Sequence, residues 1–577
     1  MVINKFGLMA TLAISTATAF AQEGLPSDNL QPMRSIVGFR NNFDVGVNQG
    51  GNIYWDLDQA QLETENGNQY ANLGRVMFTF FGVSNFSVPS GGFTDYIDID
   101  FDVKADAGLP SDMTVYVGDG GGGADPASLN NGGLARIPDA AASGWTHMRI
   151  HRKLNRTFGI GTMVYFDVDF SSNNTVGGAA FDSNARIRID NLRISAPKRL
   201  AGVTTVTGTT DKNIGSITFS NAGDALDTHT NWIQNIGSHD ILDVFGRTNF
   251  GFDANAVGSS NLLFSEAGPN GYNQLAVERF GSALDSIANA AWIGLGRDLG
   301  GSDRYYGIDA DSGATGQQYL FRQNNTNGTY RHFVRCLSSS FYYGSEMEVD
   351  LGGEELVAVG DFNGDGKDDF ITRSNNTFNV RYFEANTGMD PDKSIQVSAP
   401  SSYSIYGNLT CIAVDDINGD GRDDILVEDT ATGDVFAMFS TPSGSTAKWL
   451  FCLNQGEAFL GLADADGDSL PEVYTTHYRS GDGLTEVLTR KFNVSDIANA
   501  AFVSDNYVFV YDASVEKPVA LGDINGDGSA DIVTVRNDAP YNTLCTYLVN
   551  PATLSLLGSN GHWIGNAGTT TLRPIFK

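Results

Sequence analysis

The chain has 577 residues, with 68 acidic against 36 basic side chains and a formal net charge of −32 at pH 7. This acidic balance argues against nucleic acids and anionic membrane surfaces as partners, because both carry negative charge themselves. The 67 glycines and the shortage of helical periodicity predict a loop-rich, all-β protein. The length is sufficient for two domains that each bury a core of their own.

Residues 1–21 have the features of a secretory signal peptide. Lys5 supplies a charged start, residues 6–20 are apolar but too few to span a bilayer, and Ala19-Phe20-Ala21 resembles a cleavage site. No later stretch reaches the roughly 18 apolar residues of a spanning helix. We therefore expect a secreted, extracellular protein of bacterial type without a transmembrane anchor, and a periplasmic or cell-surface location is also compatible.

Residues 22–198 are expected to form a β-sandwich followed by a linker. Polar and apolar residues alternate over 95–104, 164–170 and 185–194, as in strands with one buried face. The end of this region, Arg188-Ile-Asp-Asn-Leu-Arg-Ile194, resembles the last strand of jelly-roll carbohydrate-binding modules. That resemblance implies a module similar to the carbohydrate-binding ones.

A nine-residue acidic loop recurs four times, beginning at Asp361, Asp416, Asp464 and Asp523. Oxygen-bearing side chains occupy positions 1, 3, 5 and 9, and position 7 offers a backbone carbonyl. Calcium takes roughly six to eight oxygen ligands, and such a loop can wrap around it. We predict about four structural Ca²⁺ ions, held by Asp361, Asn363, Asp365, Lys367, Asp369, Asp416, Asn418, Asp420, Arg422, Asp424, Asp464, Asp466, Asp468, Leu470, Glu472, Asp523, Asn525, Asp527, Ser529 and Asp531.

The flanks of these loops distinguish them from EF-hands. An EF-hand loop needs Glu at position 12 and a helix on each side. Here β-rich sequence flanks every loop, and position 12 holds Thr372, Val427, Thr475 and Thr534. Position 6 is glycine in three loops and Ser469 in the third, which weakens the turn there. The alternative interpretation is a solvated Asp/Asn/Gly turn that binds nothing.

The loops belong to a longer repeat. Eroded copies at Asp253–Asn261 and from Asp309 extend the series upstream, with a mean spacing of about 54 residues that is typical of propeller blades. Asp211–Gly215 is a candidate for a further, weaker copy. Residues 199–577 divided by this period give about seven units, so the sequence predicts a seven-bladed β-propeller after the sandwich.

The strand–loop–strand unit resembles the FG-GAP or VCBS repeat, the blade of integrin α-subunit propellers and of many secreted bacterial proteins. The resemblance covers about two-thirds of the chain and implies structural calcium. It leaves the function open, because adhesins, lectins and polysaccharide lyases all belong to the family.

Motifs of catalysis are scarce. The sequence contains no H-E-x-x-H, no G-x-S-x-G and no Walker loop. The segments Tyr330–Arg335 and His477–Arg479 combine a base with a cation, as a polysaccharide lyase requires. Six tryptophans are candidates for sugar stacking or for ordinary packing: Trp55, Trp145, Trp232, Trp292, Trp449 and Trp563.

Two hypotheses of function follow from these features. The sequence favours a non-catalytic protein that binds glycans or cell-surface partners, with a polysaccharide lyase or another carbohydrate-active enzyme as the alternative. Four cysteines in the repeat region are predicted either to pair as disulfides or to remain as buried thiols: Cys336, Cys411, Cys452 and Cys545.

Overall fold

The structure is a computed structural model, and within several of its segments only the backbone is described. The described residues are 36–41, 61–65, 68–72, 79–82, 96–106, 112–119, 123–125, 128–129, 134–137, 139–155, 162–167, 187–196, 199–208, 211–222, 225–237, 240–242, 244–246, 261–267, 273–280, 287–293, 303–309, 318–326, 329–336, 347–364, 368–374, 377–384, 396–397, 409–441, 444–468, 470–494, 500–538, 540–566 and 570–576.

The described strands before residue 199 form two sheets. In chain order they are β1 (Ile36–Asn41), β2 (Gln61–Glu65), β3 (Asn68–Asn72), β4 (Thr79–Gly82), β5 (Tyr96–Ala105), β6 (Asp112–Asp119), β7 (Gly123–Asp125), β8 (Leu134–Arg136), β9 (Thr146–Lys153), β10 (Thr162–Asp167) and β11 (Ile187–Ala196). The first sheet has the order β2-β3-β11-β5-β9, with β1 also on β11, and the second has the order β4-β10-β6-β7, with β8 on β6.

Strand β5 shows why this region folds as sheets. Its residues Ile97, Ile99, Phe101 and Val103 have no exposed surface, because alternate side chains of a strand share one face. The strands that the sequence predicts over 95–104, 164–170 and 185–194 are confirmed as β5, β10 and β11.

The described strands after residue 199 follow one another along the repeat region. They are β12 (Leu200–Thr207), β13 (Lys212–Ala222), β14 (Ala225–Gly237), β15 (Asp240–Leu242), β16 (Val244–Gly246), β17 (Asn261–Ala267), β18 (Asn273–Phe280), β19 (Ile287–Ile293), β20 (Asp303–Asp309), β21 (Gln318–Thr326), β22 (Thr329–Cys336), β23 (Met347–Val349), β24 (Glu355–Gly360), β25 (Asp369–Ser374), β26 (Thr377–Arg381), β27 (Phe383–Glu384), β28 (Gln396–Val397), β29 (Leu409–Asp415), β30 (Asp424–Asp429), β31 (Asp434–Thr441), β32 (Gly444–Cys452), β33 (Glu457–Ala463), β34 (Glu472–Arg479), β35 (Leu484–Asn493), β36 (Ala501–Tyr511), β37 (Glu516–Gly522), β38 (Asp531–Asp538), β39 (Tyr541–Val549), β40 (Leu556–Asn566) and β41 (Thr570–Phe576).

These strands form successive small sheets. Their orders are β14-β13-β12-β41, β15-β17-β18-β19, β16-β20-β21-β22-β23, β24-β25-β26, β27-β28, β29-β30-β31-β32, β33-β34-β35-β36 and β37-β38-β39-β40. Most of these sheets are built from consecutive strands in antiparallel pairing. The exception at the chain end is β41, which pairs antiparallel with β12, so the last strand completes the sheet that β12 begins.

Apolar clusters lie between neighbouring sheets. Leu426 of β30 and Leu462 of β33 belong to one cluster, and Tyr474 of β34 shares another with Leu521 of β37. A further cluster joins Val203 of β12 to sheet β37–β40. Burial of these side chains, which is worth roughly 25 cal/mol per Å² of apolar surface, therefore stabilises the sheets that share a cluster against one another.

The all-β prediction is confirmed for the described residues, which contain no α-helix. Among them, no helix is long and apolar enough to cross a membrane. The suggested loop copy at Asp211–Gly215 stays a prediction. The intact loops lead from an edge strand of their sheet to its neighbour, whereas Asp211 lies between β12 and β13, which are both interior strands of their sheet. The two eroded loop copies, at Asp253–Asn261 and from Asp309, fall mainly on residues 251–260 and 310–317, which lie outside the described residues.

Candidate metal-binding loops

The first position of each acidic loop organises its turn. One carboxylate oxygen accepts the backbone N–H of the position-4 glycine in all four loops, over 2.7, 2.7, 2.6 and 2.6 Å. These glycines have φ between 75° and 78°, where a Cβ would be strained. They are Gly364, Gly419, Gly467 and Gly526. The sequence interpretation emphasised position 6 and missed this glycine, although all four loops contain it.

The ninth position closes each loop onto the next strand. Its carboxylate accepts the backbone N–H of position 2 over 3.2, 3.1, 2.7 and 2.9 Å in the four loops, in chain order. The acceptors are Asp369, Asp424, Glu472 and Asp531, each the first residue of a strand. The four loops thus share these two hydrogen bonds, which explains how a short sequence pattern specifies the described part of each turn.

The loops concentrate carboxylates where water is excluded. Asp424 and Asp531 have no exposed surface, and burial raises the pKa of both well above its usual range. The charges of Asp416 and Asp420 raise the pKa of Asp424 further. A hard cation would relieve this repulsion, and the carboxylate and amide oxygens of the loops are the ligands that calcium prefers. The described donor atoms therefore fit Ca²⁺.

Of the predicted ligands, the structure describes all except Asp365 and Lys367, which lie outside the described residues. In the second, third and fourth loops the position-5 carboxylate accepts the N–H of position 7 over 3.0, 2.9 and 2.9 Å. In the third loop Asp464, Asp466 and Glu472 lie close together, with one carboxylate oxygen of each within 4.8 Å of the others.

Neighbouring loops are hydrogen bonded to one another. The N–H of position 8 donates to the position-1 carbonyl of the preceding loop, from Asp423 to Asp361 over 2.6 Å and from Ala530 to Asp464 over 2.7 Å. Position 8 of the third loop is Pro471, which has no N–H to donate. At that junction a Cβ on Gly419 would lie 2.9 Å from Leu470, so apolar contact takes the place of the hydrogen bond.

The N-terminal sheet docks on the second loop through β9. Arg149 lies 3.0 Å from the Asp416 carboxylate, and the His147 ring packs so closely on Gly421 that a Cβ there would lie 2.4 Å from Nδ1. Burial alone would lower the pKa of His147, but hydrogen bonds to Asp100 and Asp102 raise it to about 9. Two cationic side chains of the N-terminal sheet therefore face this acidic loop, a contact that no sequence pattern predicted.

Position 12 has a role that sequence reasoning did not find. The Thr534 hydroxyl donates to the buried Glu516 carboxylate, which also accepts from the Tyr547 hydroxyl over 2.7 Å. Thr372 and Arg381 contact Glu354 in the same way.

In the third repeat the matching residues are Glu457, Thr475 and Arg490, with Arg490 2.8 Å from Glu457. In the second repeat the matching positions hold Leu409, Val427 and Met438, so apolar residues replace the whole polar set. The sequence therefore contained a pattern that predicts this network in the first, third and fourth repeats, namely a glutamate seven residues before the loop together with a threonine at position 12.

The two candidate catalytic clusters do not assemble a lyase-like set among the described residues. His332 is 1% exposed and hydrogen bonded to Gln323 over 3.0 Å, and burial lowers its pKa to about 4. Arg331 forms a two-pronged pair with Glu348. In the other cluster, His477 Nδ1 lies 2.7 Å from Glu486 and Arg479 pairs with Asp482. Arg331 and Arg479 are thus engaged by carboxylates of this chain, and the side chain of Arg335 lies outside the described residues.

The described aromatic side chains divide into packed and exposed ones. Trp145 is partly buried against Tyr70, with ring centroids 5.4 Å apart. Trp449 and Trp563 are more than half exposed, and Trp563 forms an edge-to-face pair with Tyr541 at 4.6 Å. Trp55 lies outside the described residues, as do the side chains of Trp232 and Trp292.

The structure describes three of the four cysteines that were predicted either to pair or to remain thiols. Cys411, Cys452 and Cys545 are free, so the alternative that they pair in disulfides was wrong. Cys411 and Cys545 are buried, whereas Cys452 is partly exposed. The side chain of Cys336 lies outside the described residues.

Residues 361–427 match the family model of the FG-GAP-like repeat. This stretch contains the first two acidic loops, and the prediction of this repeat is confirmed there. Among curated proteins, no significant match was found. The similarities to integrin propellers and to carbohydrate-binding modules remain predictions.

Several solved structures resemble the chain at low identity. An Agrocybe aegerita lectin that recognises non-reducing terminal N-acetylglucosamine is 15% identical with a TM-score of 0.44, over 65% of this chain and 94% of the lectin. An oligogalacturonate lyase in complex with manganese is 11% identical, with a TM-score of 0.33 over 63% of this chain and 87% of the lyase. An exotype rhamnogalacturonan lyase is 10% identical, with a TM-score of 0.32 over 85% of this chain and 81% of that enzyme. Similarities of this strength assign no function.

Proposed function

We propose that this protein is an exported, calcium-binding, seven-bladed β-propeller protein that binds glycans or glycosylated cell-surface partners without catalysis. The observation that carries the proposal is the pair of hydrogen bonds that all four acidic loops share, from position 4 to position 1 and from position 2 to position 9. Such loops stabilise a scaffold and leave its surfaces available for binding.

Two features support the seven blades. If β27 and β28 belong to the same blade as β24–β26, the sheets from β12 to β41 number seven. The pairing of β41 with β12 joins the two ends of the series, as in a closed propeller.

Calcium binding is tested by measuring bound metal and thermal stability before and after dialysis against a chelator. Removing calcium is expected to lower the melting temperature, because the buried carboxylates then lack a counter-ion. Asp420→Ala and Asp527→Ala should each lose about one bound ion. Asp512→Ala is the control, since this exposed residue caps a turn outside the loops. A chelated protein that melts unchanged would refute the calcium function.

Glycan binding is supported by the exposed aromatic side chains. Trp563 and Tyr541 present ring surface to solvent beside polar groups of Asp538 and Thr543, a combination suited to a sugar ring and its hydroxyls. A glycan array should report saturable binding that Trp563→Ala weakens about tenfold and Trp563→Phe largely preserves. Binding that Trp563→Ala leaves unchanged would place the glycan site elsewhere.

The same incubations separate binding from the lyase alternative. Saturable binding without new unsaturated or reducing ends supports the non-catalytic function. Turnover that disappears in His477→Ala would instead establish an enzyme. Export is tested by N-terminal sequencing of secreted protein, which should begin at Gln22 if residues 1–21 are removed.

A further inference from the structure

Lys491 of β35 lies within the carboxylates of the third loop. Its ammonium contacts Asp466, lies 2.8 Å from Asp468 and lies 3.3 Å from Glu472. These are positions 3, 5 and 9 of the loop, three of the positions assigned to calcium ligands. Two of these contacted residues, Asp466 and Glu472, also lie close to Asp464, with one carboxylate oxygen of each of the three within 4.8 Å of the others.

The other repeats have no basic residue at the position that is equivalent to Lys491. Strand pairing identifies this position, which comes directly after the residue that pairs with the one following position 9. Those paired residues are Arg381, Met438, Arg490 and Tyr547. The residues that follow them are Tyr382, Phe439, Lys491 and Leu548. Only the third of these four repeats therefore places a positive charge beside its loop from this position.

The third loop differs from the others in composition as well. Positions 1, 3, 5 and 9 hold four carboxylates, where each of the other loops has three and an asparagine. Ser469 replaces the position-6 glycine and Pro471 occupies position 8. The additional carboxylate is Asp466, one of the groups that Lys491 contacts. The loop is thus built with one more negative charge and with a lysine that neutralises it.

We propose that Lys491 is a built-in counter-ion that keeps the third loop closed without metal, so that this loop binds calcium more weakly than the other three. This inference rests on the proposed calcium function of the remaining loops. A calcium ion entering the third loop must displace the ammonium from three carboxylates or tolerate its positive charge a few ångströms away. Either requirement costs binding energy at this separation. Arg149 contacts the position-1 carboxylate of the second loop, and Lys153 and Arg199 donate to backbone carbonyls of the fourth, whereas Lys491 engages the carboxylates of positions 3, 5 and 9 together.

The test measures calcium stoichiometry by equilibrium dialysis and isothermal titration on the full chain. Lys491→Met should bind one ion more than the wild type, or bind its weakest ion at least about tenfold more tightly. Lys491→Arg keeps the cation and should resemble the wild type. The control Lys517→Met removes an exposed charge from β37 and should change nothing. An unchanged stoichiometry and affinity in Lys491→Met would overturn the proposal.

Ligand substitutions in the wild-type background provide a measurement that does not depend on a Lys491 variant. Asp468→Ala should leave the number of tightly bound ions unchanged, whereas Asp420→Ala should lower it by one. Equal losses in the two variants would overturn the proposal, because the third loop would then hold calcium like the second. A wild type that binds no calcium at all would refute the proposed function itself, which is a different result from either of these.

Discussion

The guanidinium of Arg149 lies 3.0 Å from Asp416, a residue 267 positions later in the chain. Its Nε also donates to Asp100 over 2.6 Å, so one side chain bridges a carboxylate of β5 and the first ligand position of the second acidic loop. Asp416 is 1% exposed, and the ion pair therefore lies largely away from water. This contact makes the N-terminal sheet part of the environment of a candidate calcium site.

Replacing Arg149 measures how much this contact between the N-terminal sheet and the second loop contributes to stability. Arg149→Met removes this cation from the buried Asp416 and leaves Asp100 its contact with His147, which is expected to lower the free energy of unfolding of calcium-free protein by about 3 kcal/mol. Arg331→Met is the matched control, because its pair with Glu348 is exposed to solvent and should contribute much less to stability. Denaturant titration measures both variants. An equal loss of unfolding free energy in both variants would show that the buried Arg149 contact contributes no more than the exposed one.

The glutamate–threonine network should respond differently to partial and complete replacement. Thr534→Val removes a donor from the buried Glu516 carboxylate and should cost about 1–2 kcal/mol. The triple variant Glu516→Leu, Thr534→Val, Tyr547→Met copies the apolar set found at Leu409, Val427 and Met438. It should recover most of that loss, because replacing all the polar partners together leaves none unsatisfied.

Thr546→Val provides the control for that experiment, measured by the same urea titration. Thr546 is buried and its hydroxyl has no hydrogen-bond partner among the described residues, so valine should be neutral or stabilising. If the triple variant were less stable than Thr534→Val alone, the network would be contributing through something other than paired hydrogen bonds.

His332 should make the protein acid-sensitive. Burial lowers its pKa from 6.5 to about 4, so the folded protein keeps this imidazole neutral while the unfolded chain takes up a proton near pH 6.5. Its contribution is therefore complete above pH 6.5 and is lost as the pH falls from 6.5 towards 4, by about 3 kcal/mol at most. The charged groups that act on it are Arg381, Asp350, Glu348 and Glu354.

The comparison of wild type with His332→Gln isolates this effect, because the carboxylates of the chain are the same in both proteins. The stability difference between pH 7 and pH 5 should be smaller in the variant, as measured by denaturant titration. His562→Gln, at a partly exposed position on β40, should retain the wild-type pH dependence. Identical pH profiles for His332→Gln and wild type would refute the assignment of a neutral buried imidazole.

The position-4 glycine should be essential to loop shape even without metal. Gly526 has φ of +78°, and a Cβ there would lie 3.1 Å from the Arg199 guanidinium carbon. Gly526→Ala should therefore destabilise calcium-free protein by about 1–2 kcal/mol. Gly558→Ala is the control, since nothing lies within 4 Å of a Cβ at that position. Similar melting temperatures for the two variants would contradict this assignment.

The acidic loops could be predicted because their determinants are local. Position 1 bonds to position 4, and position 9 bonds to position 2, so nine consecutive residues specify the turn. The alternation that marks β5, β10 and β11 is local in the same sense, because side chains two residues apart share a face. The confirmed FG-GAP-like repeat at 361–427 reflects this locality.

The contacts that surround the loops could not be predicted from spacing. Lys491 follows its loop by 19 residues and reaches it only because β35 pairs with β34. The same limit applies to Tyr330–Arg335, where a base beside a cation predicted a catalytic cluster. Strand pairing instead buries His332 against Gln323, and places Arg331 on Glu348.

The all-β character and the loop turns could be inferred from the amino-acid order, because each depends on residues close together in the chain. Which cations face the second and third loops depends on how the strands pack in three dimensions. Arg149 reaches the second loop from the N-terminal sheet, and Lys491 reaches the third from its own sheet. Coulombic interactions act through space and not along the chain, so the same acidic motif acquires different partners at different places in the fold.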